Sequence, residues 1–139
     1  MIDAIVGQKG SGKTSKLVDE INVKAQNNDV NIVCLEYGKR FDRQIPYQVR
    51  LIDVTEYPVN SYAELLSFIA GISAKDYDIS HFYIDSIYKV ANDDCKDCLS
   101  KFFSDLSSFS EKSSINFTIT ISDAVENLPE NVQQVVRKD

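Results

Sequence analysis

Two periodicities run through the chain. Short apolar runs, several rich in β-branched residues, read as buried strands over 2–6, 30–35, 48–54, 80–85 and 115–121. Between them apolar residues recur at helical spacing: Leu17 and Ile21; Leu65, Leu66, Phe68, Ile69 and Ile72; then Cys95, Cys98, Leu99, Phe102, Phe103, Leu106 and Phe109. Ser61 followed by Glu64 is a capping-box signature, and Pro129 opens a short final helix expected over 129–136. Asn27 to Asp29, a polar loop over 38–46, Pro58, Asn60, Asn92 to Asp94 and Ser113-Ser114 punctuate the pattern. Strands alternating with helices predict one α/β domain over 1–139, with a mostly parallel five-stranded sheet and helices on both faces. In such a sheet the strand carboxyl ends converge, and this chain places Gly7, Glu36, Asp85 and Ser122 there.

The first strand runs straight into Gly7, Gln8, Lys9, Gly10, Ser11, Gly12, Lys13 and Thr14, a full match to G-x-x-x-x-G-K-[ST] between a strand and a helix. Each residue type has a physical task. Gly7, Gly10 and Gly12 let the backbone curl so that successive N–H groups face an anion. The helix that follows, with Ser15 in its first turn, adds its N-terminal partial charge. Lys13 is expected to reach the β- and γ-phosphates, and the Thr14 hydroxyl to take one Mg²⁺ position. Asp85 suits the second metal role, orienting a water on the magnesium.

Composition narrows the partners. A length of 139 residues suits a single core, and a net charge of −6 argues against a nucleic acid held by bulk charge. The apolar run after Met1 is too short for a signal peptide, and no stretch approaches transmembrane length. Three cysteines, an odd number, fit a reducing cytoplasm, which is the expected location. Cys95-x-x-Cys98 lies on a helical face continued by Leu99 and Phe102, so packing is the expectation; Cys34 and His81 are too distant in sequence to complete a zinc site readily. His81, the single histidine, opens its strand at the end away from the loop and reads as structural.

Hydrolysis needs a group that orients or deprotonates water. Asp85 is followed by Ser86 rather than by Glu, which leaves Glu36 as the candidate carboxylate, with Thr120, Ser122 or Asp123 as further contacts to phosphate or water. The order of loop, strand ending Val33-Cys34-Leu35-Glu36, strand ending Ile84-Asp85-Ser86 and strand ending in a polar residue resembles the RecA-like and KaiC-like P-loop ATPases. That resemblance implies strand order 3-2-4-5-1 in chain numbering, Mg²⁺ and ATP as ligands, and Glu36 as the catalytic carboxylate. The whole chain also resembles small stand-alone bacterial P-loop proteins loosely labelled twitching-motility ATPases, from the loop through Ile84-Asp85 to Leu128-Pro129-Glu130.

RecA-like motors carry further strands, so here the first strand is expected at a sheet edge, covered by the C-terminal tail or by another chain. A homo-oligomer or a protein partner is therefore open. Lys9 sits one position later than the second lysine of the MinD-like loop and is not assigned that role. No Asn-Lys-x-Asp run reads guanine, so ATP is favoured over GTP. Lys39-Arg40-Phe41-Asp42-Arg43 follows Glu36 and could serve as a basic clamp, with a solvated loop as the alternative. The segment Gly7 to Thr14 also fits the thymidine-kinase loop, although those enzymes carry an acidic pair where this chain has Asp85-Ser86. Slow ATP hydrolysis coupled to a partner is the leading expectation; a nucleoside-type kinase and a non-hydrolysing scaffold or sensor are the alternatives.

Overall fold

The computed structural model describes residues 1–41 and 44–138. The apolar runs form strands β1 (Ile2–Gly7), β2 (Ile32–Glu36), β3 (Arg50–Asp53), β4 (His81–Ile84) and β5 (Asn116–Ser122). They make one sheet in the order β1-β5-β4-β2-β3, with every neighbouring pair parallel. The register sets Gly7 opposite Ser122, Leu35 opposite Ile84 and Glu36 opposite Asp53, so the carboxyl ends share one edge of the domain.

Helices α1 (Lys13–Lys24), α2 (Tyr62–Lys75), α3 (Ile87–Val90), α4 (Lys96–Ser113) and α5 (Glu130–Gln133) link and cover the strands. Alternation along the strands divides the core, because successive side chains point to opposite faces. Val33, Leu35, Phe82, Ile84, Phe117, Ile119 and Ile121 pack with Leu65 and Ile69 of α2 and with Leu99, Phe102 and Leu106 of α4. Ile32, Cys34 and Tyr83 pack with Leu17, Val18 and Ile21 of α1, where Phe41, Ile45 and Val49 close the layer. Burial of such side chains contributes about 1.5–3 kcal/mol each. Among the described residues no helix is long and apolar enough to cross a membrane.

Local chemistry sets the helix ends. Ser61 Oγ accepts the Glu64 N–H at 3.0 Å, and Glu64 reaches back to accept the Asn60 N–H at 2.7 Å. The short α3 has too few residues to give a periodic pattern. The stretch expected as a helix over 129–136 is helical only at Glu130–Gln133. Beyond it the chain turns to lie along the outer edge of β1: the Ala4 N–H donates to Val135 O at 3.0 Å and the Arg137 N–H to Ala4 O at 2.8 Å. These bonds satisfy part of an edge that would otherwise offer unpaired backbone groups.

The tail is locked by side chains under α1. Arg137 forks onto Glu20 at 2.6 and 3.0 Å and also pairs with Asp3. Tyr83 donates to Glu20 at 2.7 Å, and Thr118 donates to Asp3 at 2.8 Å. His81 lies in the same buried layer, stacked on Tyr83, with Nε2 2.8 Å from Thr118 Oγ1 and Nδ1 3.2 Å from Lys24 Nζ. Because an ammonium can only donate, Nδ1 is the acceptor and Nε2 carries the proton. Burial, then the Lys24 charge, pushes the imidazole down to about 4. His81 is thus a neutral structural group at the amino end of its strand.

Candidate functional site

The glycine-rich loop leaves β1 at Gly7 and enters α1 at Lys13, at the carboxyl edge of the sheet. A Cβ at Gly7 would run into Ser11 Oγ, since the loop folds back on itself and the Ser11 N–H donates to Gln8 O at 3.1 Å. Gly10 and Gly12 both adopt φ of 88°, a left-handed conformation that costs glycine little and other residues more. Gly12 is the N-cap of α1, so the first-turn amides of that helix open towards the loop.

Lys13 folds under this curl. Its Nζ donates to Gln8 O at 3.3 Å, and the residue is almost wholly buried. Burial lowers its pKa, with the Asp85 charge acting in the opposite direction. The Thr14 hydroxyl donates to Asp85 Oδ1 at 3.3 Å. Asp85 itself is held from below: Thr120 Oγ1 donates to the same oxygen at 2.8 Å and accepts the Ser86 N–H at 2.7 Å. Ser86 adopts φ of 63°, a strained conformation for a residue with a Cβ, and the Thr120 bond helps to fix it. Arg40 Nη1 stands 3.7 Å from Asp85 Oδ2.

Part of this set borders a cavity of about 520 Å³, whose lining does not include Gly7, Gln8, Ser11, Asp85 or Thr120. Lys9, Gly10 and Gly12 to Ser15 form one wall, and Arg40, Ser86, Lys89 and Ser122 form the others. Four cationic side chains therefore meet in one hollow of a chain whose net charge is −6. A Thr hydroxyl beside a carboxylate is a hard oxygen pair that suits Mg²⁺, so Thr14 and Asp85 could hold that ion. Lys89 carries no motif; it comes to the cavity because α3 turns immediately after Asp85. Its only sequence signal is a lysine four residues beyond a strand-ending aspartate.

Glu36 is placed differently. It is buried at the end of β2, and its Oε1 accepts the N–H groups of Arg40 at 2.8 Å and Phe41 at 3.1 Å. It is not among the described residues that wall the cavity. Asp53 anchors the same loop, accepting the Gly38 N–H at 2.9 Å. Glu36 and Asp53 together hold the turn that presents Arg40 to Asp85. Of the basic stretch after Glu36, Asp42 and Arg43 lie outside the described residues.

Among the strand-end candidates of β5, only Ser122 reaches the cavity. Thr120 is fully buried beneath Asp85. Asp123 points away and accepts from Tyr88 at 2.8 Å and Asn127 at 3.0 Å, with Lys96 at 3.1 Å. Burial works against its charge, but these hydrogen bonds prevail and hold its pKa down to about 2. The Asp123 N–H donates to Gly7 O at 3.2 Å, which ties the loop after β5 to the start of the glycine-rich loop.

A second hollow of about 260 Å³, mostly apolar, lies between α2 and α4. Cys98 lines it and packs against the core as expected, but it is also joined to Cys95 as a disulfide. Cys95 is the N-cap of α4 rather than part of its apolar face. Cys34 is free and buried, and burial pushes its thiol pKa up strongly. Compared with known proteins, the chain matches no family model, and no curated protein matches it.

Proposed function

We propose that this chain is a P-loop nucleotide-binding protein of RecA-like type that binds Mg²⁺–ATP and hydrolyses it slowly. The observation that carries the reading is the convergence of a glycine-rich loop, a helix N-terminus and four cationic side chains on one cavity of an acidic chain. A triphosphate supplies the charge that such a lining compensates, and about 520 Å³ lies within the usual range for small-molecule sites. In this reading the amides from Gln8 to Ser15 cradle the phosphates, Lys13 reaches the terminal ones, and Ser122 and Lys89 face them from the opposite wall. Thr14 and Asp85 hold the magnesium, which when bound neutralises phosphate charge during transfer. Arg40, 3.7 Å from Asp85 and part of the same lining, would face the phosphates. The reading favours ATP over GTP and leaves room for a protein partner at the loop.

Glu36 is the proposed water-orienting carboxylate, and its position explains why turnover should be slow. Its Oε1 already accepts two backbone N–H groups, so that oxygen is committed to the loop rather than free to meet water. The same observation favours a second reading, a nucleotide-dependent scaffold in which Glu36 only holds the Arg40 loop. Phosphate release from Mg²⁺–ATP by the wild type and by Glu36→Gln, beside nucleotide affinity in both, separates the two. Release lost at least tenfold with affinity kept supports hydrolysis through Glu36. No release from the wild type, with binding intact, supports the scaffold. Absence of nucleotide binding removes both.

A further inference from the structure

We propose that Cys95 and Cys98 form a thiol–disulfide exchange site, cycling between dithiol and disulfide against a low-molecular-weight thiol couple. The pair is joined in the structure, with Cα atoms 5.2 Å apart, and both residues are only partly buried. A structural cross-link stabilises mainly by closing a long loop, and a separation of three residues closes almost none. The bond therefore has little to contribute to holding the fold. α4 already packs into the core through Leu99, Phe102, Phe103 and Leu106.

The two sulfurs are placed unequally, which assigns them different parts. Cys98 lines the apolar hollow between α2 and α4, where Tyr62, Leu66 and Phe102 leave room for an incoming thiol. Cys95 caps α4, and its Sγ accepts the Cys98 N–H at 3.1 Å. A thiolate leaving from Cys95 is stabilised by that N–H and by the positive end of an 18-residue helix. In the reductive direction the thiolate RS⁻ attacks Cys98 Sγ, the S–S bond breaks, and Cys95 departs with the electron pair and takes up a proton. A second RS⁻ attacks the R sulfur of the mixed disulfide, releasing RSSR and the Cys98 thiolate, which is then protonated. Two thiols are oxidised and one protein disulfide is reduced; oxidation runs the same steps backwards.

A metal is the competing use of this corner. Among the described residues Asp93, Cys95 and Cys98 are the ligand groups that come together, and a structural zinc takes four. Asp93 Oδ1 is also engaged by the Cys95 N–H at 2.9 Å, and the Asp93 carbonyl by the Tyr62 hydroxyl at 2.9 Å. Cys34 is sealed in the core and cannot take part.

The test equilibrates the purified chain with glutathione at a series of reduced-to-oxidised ratios, followed by alkylation and peptide mass analysis. The expected result is one reversible two-thiol step at Cys95 and Cys98, complete at both extremes, with Cys34 unreacted until unfolding. A disulfide that stays closed at the most reducing ratio, or thiols that stay open at the most oxidising, overturns the proposal. So does protection of both thiols that only a chelator removes. A single variant tests the assignment of roles while its folding is checked by circular dichroism. Cys95→Ser should trap glutathione on Cys98 at one per chain, because the thiol that would release it is gone. Absence of that adduct contradicts the assignment.

Discussion

Replacing Thr120 with valine removes one hydroxyl and keeps the shape of the side chain, so the cost should come almost wholly from hydrogen bonds. Thr120 is fully buried, and its Oγ1 both accepts from the Ser86 N–H at 2.7 Å and donates to Asp85 Oδ1 at 2.8 Å. The first loss leaves a partly buried donor without its acceptor, worth about 1–3 kcal/mol. The second removes a bond to a carboxylate, worth about 1.5–3 kcal/mol, although Asp85 keeps the Thr14 and Ser86 hydroxyls at 3.3 Å and Arg40 at 3.7 Å. These remaining partners absorb part of the loss, which puts the expected destabilisation at about 3 kcal/mol. Ser86, held at φ of 63°, is then free to relax, and relaxation moves Asp85 with it. Urea unfolding followed by circular dichroism measures the effect, with Thr120→Ser as the control. Serine keeps both bonds and gives up a methyl group, for about 1 kcal/mol. A valine variant within about 0.5 kcal/mol of wild type, or a serine variant worse than valine, would refute the claim that this hydroxyl pins the strand end.

Two other changes follow from the layer under α1. His81 has a folded pKa of about 4, below the ordinary 6.5, so its stabilising contribution is full above pH 6.5 and is lost as pH falls through 4. The loss amounts to about 3 kcal/mol, and His81→Gln, which keeps an N–H for Thr118, should flatten the stability curve between pH 7 and 4 by that amount; an unchanged curve contradicts the assignment. Arg137→Ala should free the tail from β1, measured as faster hydrogen exchange at the Ala4 amide, which donates to Val135 O. Exchange at the wild-type rate would show that the Arg137 pairs with Glu20 and Asp3 do not hold the tail.

The fold was legible where local chemistry and burial point the same way. The apolar runs at Val33 to Leu35, Phe82 to Ile84 and Phe117 to Ile121 announce strands because both of their faces are covered, and Ser61 with Glu64 announces a helix start. What was not legible depends on partners distant in the chain. Val135 looks like the end of a helix until Ala4 claims its carbonyl. Cys95 sits at helical spacing from Leu99 but is a cap, and spacing alone does not distinguish the two. At the candidate site the glycine motif led to the residues from Lys9 to Ser15, and strand ends led to Asp85 and Ser122. Lys89 was missed because a four-residue helix gives no pattern. Glu36 was found as a strand-end carboxylate, yet only the course of the following loop shows that its Oε1 serves the amides of Arg40 and Phe41.

The central claim is that the cavity around Lys13 holds a nucleoside triphosphate. Calorimetric titration of Mg²⁺–ATP into the wild type and into Lys13→Ala tests it most directly. Loss of a charge-assisted bond of about 1.5–3 kcal/mol corresponds to roughly 10- to 150-fold in affinity. The account predicts micromolar binding to the wild type, weakened at least tenfold in the variant. Equal affinity in both proteins, or no heat with any nucleotide, would contradict it.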